Sequence, residues 1–155
     1  MEHIKVLSAS AGPATSCNCS ALRRASRRLS QMYDAALAPA GLRSTQFSVL
    51  VELDSRRDEP PTIGELAEAL VMDTSTIGQN LRPLEREGLL TLQPSVADRR
   101  RRCVALTKKG AARLAAALPL WQDAQGRFER KFGKRAAAEL RGALSAIARE
   151  PLFVG

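Results

Sequence analysis

At 155 residues, 45% of them hydrophobic and 26% charged, the chain is bounded to one folded domain, or one domain with an oligomerisation element. Only 4% of residues are aromatic, so the core must be built from Leu, Ala, Val and Ile, a composition that favours helices over strands. The net charge of +8 points to an anionic partner (nucleic acid, membrane surface or acidic protein) or to a basic surface kept for solubility, and the lack of any apolar run near ~20 residues excludes a membrane-spanning helix.

Residues 1–16 are small and polar, broken by Gly12 and Pro13, and read as a flexible arm. They lack the continuous apolar stretch of a signal peptide, so a cytoplasmic location is expected. Cys17, Cys19 and Cys103 are too few and too unevenly spaced for a disulfide framework, in keeping with a reducing compartment. With His3 they do not supply enough ligands for zinc, so no metal and no cofactor is expected.

A helix begins near Asn18: Leu22, Ala25, Leu29, Met32, Tyr33, Ala36 and Leu37 recur at three and four residues, opposite Arg23, Arg24, Arg27 and Arg28. Pro39 and Gly41 stop it, and Ser44 is the expected N-cap of a second helix with Phe47, Leu50, Val51 and Leu53 on its apolar side. The charged stretch from Asp54 to Pro61 is a loop. Thr62 and Glu65 form a capping box for a third helix that buries Ile63, Leu66, Ala67 and Leu70. After a turn at Val71 and Met72, Asp73 caps a fourth helix running to Gly88, with Pro83 expected to kink it.

Leu89–Gln93 and Arg102–Leu106 read as two strands of a hairpin with a basic tip. Thr107 caps a long helix with a seam of Ala111, Leu114, Leu118, Trp121, Gln125, Phe128 and Phe132, bent at Pro119 and broken at Gly133. A last amphipathic helix carries Ala136, Ala137, Leu140, Ala143, Leu144 and Ile147 and ends before Pro151. No internal repeat is visible.

The order helix, turn, helix, basic hairpin is what a winged DNA reader needs. Thr74, Ser75, Thr76, Gln79, Asn80 and Arg82 supply groups for phosphates and base edges at the start of a helix entering the major groove. Arg99, Arg100, Arg101 and Arg102 would alternate along a strand, half of them reaching a minor groove, with Asp98 holding one in place by a bidentate pair. A solvated polar face and a solvated arginine patch are the plainer readings of each motif taken alone. One histidine and no phosphate loop or nucleophile motif argue against an enzyme.

The motifs LAEALVMDTSTI, LEREGLL, ADRR and VALTKKG together resemble the MarR family of winged helix–turn–helix regulators, over nearly the whole chain. The resemblance implies a mainly α fold with a small β-hairpin wing. It divides the chain into a dimerisation helix over 17–43, a DNA-binding lobe over 44–106 and C-terminal dimerisation helices over 107–155. It further implies a homodimer on double-stranded DNA with a palindromic operator, acting as a repressor released by a small organic ligand or by cysteine oxidation. The alternative is a non-specific architectural DNA binder, held by phosphate contacts alone. The dimer also follows from size, since a domain this small struggles to bury apolar stripes at both chain ends.

The segment CNCSALRRASRRLSQMYDAAL is similar to the first helix of the organic-hydroperoxide-sensing branch, with Cys19 at the reactive position and Tyr33 at that of a thiolate-binding tyrosine. Arg23 and Ser44 stand where two further tyrosines are expected. Cys17 and Cys103 are the candidate partners for an oxidised Cys19. The competing signal is an aromatic ligand in a pocket lined by Tyr33, Phe47 and Trp121, residues that also fit ordinary core packing.

Overall fold

The computed structural model describes residues 17–150, and the expected arm over 1–16 lies outside them. Its elements are α1 (Asn18–Leu37), a single 3-10 turn (Ala38–Ala40), α2 (Ser44–Ser55), α3 (Ile63–Ala69), α4 (Thr74–Arg86), β1 (Leu90–Pro94), β2 (Arg102–Leu106), α5 (Lys108–Phe132) and α6 (Lys134–Arg149). The fold is mainly α with one antiparallel two-stranded hairpin, as the sequence predicts. No helix of the described residues is long and apolar enough to cross a membrane. The chain divides into two units: a lobe, Tyr33–Trp121, and a terminal unit that joins the segment up to Met32 to the segment from Gln122 on.

In the lobe each junction has a local chemical cause. Beyond α1, Gly41 takes φ +69 and donates its N–H to the Ala38 carbonyl, so the helix cannot continue. Ser44 is not the N-cap of α2. Arg43 holds that position, with its N–H bonded to the Gln46 side chain at 2.9 Å. Ser44 is instead the first helical residue and donates both its N–H and its hydroxyl to Asp34 Oδ1, each at 2.7 Å. The serine ties α2 back to α1, a long-range bond that a local capping rule does not foresee.

The capping box of α3 forms as expected: the Thr62 N–H donates to Glu65 Oε2 at 2.8 Å and the Glu65 N–H to Thr62 Oγ1 at 3.2 Å. Val71 ends α3 with φ +52, a left-handed conformation that a β-branched residue adopts only under strain. Asp73 then caps α4, accepting from the Thr76 N–H at 2.8 Å. Pro83 lies inside α4 without interrupting it. The helix stops at Gly88 (φ +71), whose N–H goes to Glu85 while that of Leu89 goes to Leu84. Because Leu89 is spent on this stop, β1 starts one residue later than the sequence predicts.

The hairpin pairs Leu90 with Leu106 and Leu92 with Val104. Thr62 adds an isolated bridge to Cys103, and the Val104 N–H reaches the Pro61 carbonyl at 2.8 Å. The entry to α3 therefore lies along β2. The core of the lobe gathers Leu37, Leu50, Leu53, Leu66, Ile77, Leu81, Leu84, Leu89, Leu90 and Val104, all 2% exposed or less.

The start of α5 is clamped to the end of α4. Thr107 Oγ1 donates to the Gly88 carbonyl at 2.7 Å and accepts the Gly110 N–H at 3.0 Å. Lys109 Nζ donates to the Glu87 carbonyl at 2.6 Å, and Arg113 pairs with the Glu87 carboxylate at 3.2 Å. Gly110 is buried, and a Cβ there would stand 2.0 Å from the Leu89 carbonyl oxygen. This is the physical reason for the glycine in LTKKG: α5 and the backbone of Leu89, just before β1, approach too closely for any side chain.

In the terminal unit, α5 runs on past Pro119 to Phe132, and Gly133 (φ +100) separates it from α6. Phe128 and Phe132 stack at 5.1 Å and, with Met32, line an apolar depression of about 230 Å³. Arg141 of α6 pairs with Glu129 of α5 at 3.0 Å. The apolar stripe of α1 stays largely open here: Leu22 and Ala25 are exposed and Leu29 only half-buried.

Candidate nucleic-acid interface

Helix α4 is two-faced. Ile77, Leu81 and Leu84 are buried in the lobe, and Thr74, Ser75, Gln79, Arg82 and Arg86 are exposed. The structure sorts the six predicted reading residues by what their side chains already do. The Thr76 hydroxyl is bonded to Asp73 Oδ2 at 2.7 Å, and the Asn80 amide donates to the Thr76 carbonyl at 2.9 Å. Both are half-buried and serve the helix itself. Thr74, Ser75, Gln79 and Arg82 are the four that face solvent. The Thr76 N–H and hydroxyl hold the Asp73 carboxyl below the usual aspartate range, so the cap is ionised at neutral pH.

The wing arginines do not alternate along a strand. Arg99 and Arg100 occupy the centre of a turn, Arg101 a bend, and only Arg102 opens β2. All four are exposed, and none forms an ion pair among the described residues. Asp98 is correspondingly not the bidentate partner of a guanidinium. Its Oδ1 accepts the Arg100 N–H and its carbonyl the Arg101 N–H, both at 2.9 Å, so it folds the tip through the backbone. The turn closes where the Ser95 N–H meets the Arg101 carbonyl at 2.8 Å, with Ser95 buried beneath it. Val96 at the tip is fully exposed. The hydrogen bonds from Thr62 hold Glu65 below the usual glutamate range, with a smaller contribution from Arg101 and Arg56.

Of the predicted pocket residues, the structure brings two together. Phe47 and Trp121 stack at 6.0 Å and line an open cavity of about 370 Å³ with Ser48, Val51, Glu52, Leu70 and Leu118. Tyr33, half-buried on α1, is not among its lining residues. The three cysteines are free thiols. Cys17 and Cys19 are exposed at the start of α1, and Cys103 is half-buried on β2. Sequence reasoning missed Ser95 and the Pro61–Thr62 edge; the Pro-Pro step before the capping box is the signal that places an extended segment there.

A buried helix–turn–helix, a hairpin closed beside it and an exposed polar face on its second helix define a winged helix–turn–helix protein. A MarR family model matches residues 40–101. The repressor NicR of Pseudomonas putida is 35% identical over 98 residues, which are 63% of this chain and 61% of NicR. The chain thus spans less than two thirds of that curated relative. A transcriptional repressor, CouR, solved bound to a 23-mer DNA duplex, superposes with TM-score 0.79 at 32% identity, over 89% of this chain and 96% of that one. The M. tuberculosis regulator MosR in complex with DNA gives 0.70 at 36% identity, over 84% and 98%. The chain belongs to the MarR family, a family of transcriptional regulators.

Proposed function

We propose that the protein is a cytoplasmic, homodimeric, sequence-specific DNA-binding repressor, released from a palindromic operator by a small organic ligand. The observation that carries this reading is the exposed row of Thr74, Ser75, Gln79 and Arg82 on a helix whose other face is locked into the lobe, beside a turn of unpaired arginines. Such a helix reads base edges while the wing arginines contact a minor groove. Relatives solved on DNA support it. The dimer would be built from α1, α5 and α6, whose apolar side chains at Leu22, Phe132 and Ile147 remain exposed in one chain. The role is binding rather than catalysis.

For the signal, the apolar Phe47–Trp121 cavity favours an aromatic or acyl group, and CouR is also solved bound to p-coumaroyl-CoA. A second trigger, oxidation of Cys19, is favoured by the exposure of that thiol in the first turn of α1. Mass spectrometry after peroxide treatment tests it: an unmodified Cys19 with DNA binding intact leaves the ligand as the signal.

Fluorescence anisotropy against the DNA upstream of the protein's own gene tests the function. Binding at least a thousandfold tighter than to random DNA is expected, on the order of the ratio typical of specific readers. Equal affinity for both, with steep loss in salt, would instead make the protein an architectural binder.

A further inference from the structure

Gly78 is the residue of α4 that the lobe's own packing does not explain. It stands mid-helix, and a Cβ built on it meets nothing within 4 Å. Its φ lies outside the left-handed region, unlike those of Gly41, Gly88 and Gly133. Alanine therefore fits position 78, and would favour the helix, because glycine is the poorest helix former after proline. Gly110 is the contrast, since there the fold itself forbids a side chain. By helical spacing Gly78 lies one turn after Thr74 and one turn before Arg82, on the flank of the exposed face beside Ser75. The result is a notch of bare backbone with hydroxyls on one side and a guanidinium on the other. Hydroxyls and guanidinium are the groups that hold phosphate oxygens.

We propose that Gly78 is a DNA-contact position, where one backbone phosphate per half-site approaches α4 more closely than any side chain permits, bracketed by Thr74, Ser75 and Arg82. The proposal rests on the DNA-binding reading and divides the work of α4: the Gly78 row positions the helix, and Gln79 meets base edges.

The test is Gly78→Ala, followed by thermal unfolding and by anisotropy titrations over a range of salt, on upstream DNA and on random DNA. The variant should unfold about 2–4 °C higher than wild type. It should bind both DNAs at least tenfold more weakly, with a salt slope shallower by about one per half-site and an unchanged ratio between the two DNAs. Unaltered affinity overturns the proposal. So does a lowered unfolding temperature, which would mean that the fold requires the glycine. A changed base preference at constant salt slope overturns it in favour of a base contact. Failure of the regulator reading is separate: it appears as a wild type with no preference for upstream DNA, and the loss on random DNA still reports on Gly78.

Discussion

In the lobe of Tyr33–Trp121, Leu50, Leu66, Leu84, Leu89 and Val104 are fully sealed from solvent, whereas in the terminal unit the buried hydrophobic residues among those described are two alanines, Ala124 and Ala137. The larger apolar side chains of that unit stay open: Leu22 is 39% exposed, Phe132 37% and Ile147 44%. Burying a leucine contributes about 1.5–3 kcal/mol and a methyl far less, so the two regions differ in what one chain supplies. The lobe closes its core with its own residues. The terminal unit leaves apolar surface of the kind that a second chain covers.

That contrast can be broken from the lobe's side first. Leu84→Ala, in the centre of the core, should cost about 4 kcal/mol of folding stability in urea titrations. Gly110→Ala should cost about 3 kcal/mol, because α5 and the Leu89 backbone must part to admit the methyl. A loss of less than about 1 kcal/mol from either would mean that the lobe is looser than its sealed side chains indicate. Thr62→Ala, which opens one capping box, should cost about 1 kcal/mol. Val71→Gly should raise stability by about 0.5 kcal/mol, since it relieves a strained φ in an exposed residue.

Ile147→Asp sharpens the other half of the comparison. It should change the lobe's stability by less than about 0.5 kcal/mol, yet shift sedimentation from the proposed dimer to monomer. A dimer that survives the charge would remove α6 from the interface.

Acid adds a test by sign. Asp73 and Glu65 titrate below their ordinary values in the folded chain, so the unfolded chain binds more protons through that range. Their stabilising effect is complete above the ordinary carboxylate values of about 4 and is lost as pH falls through the lower folded ones. The double variant Glu65→Gln, Asp73→Asn should therefore show a flatter fall in melting temperature below about pH 4.

Much of the lobe was legible in the sequence because its junctions are local. Thr62 with Glu65, Asp73 with Thr76, and the stops at Gly41 and Gly88 each join residues within a helical turn. What escaped was set at long range. Ser44 bonds to Asp34 ten residues back, and Gly110 answers to Leu89. The site was half legible for a related reason. Residue type named the polar face of α4, but not that Asn80 would turn back onto the Thr76 carbonyl. Four arginines in a row read as strand alternation, whereas Asp98 folds them into a turn through backbone bonds that no periodicity records.

The bonds from Thr107, Lys109 and Arg113 to Glu87 and Gly88 fix where α4 can move. Its C-terminal end is pinned by these bonds, and its N-terminal end is held by the Asp73 cap and the buried Ile77, next to the strained Val71. A tilt of the helix that kept these bonds would pivot about Gly88. Thirteen residues put Thr74 about 20 Å from that pivot, so a rotation of about 10° would carry its hydroxyl about 3.5 Å, more than the length of a hydrogen bond. The residues at the start of the helix are the ones with the longest swing.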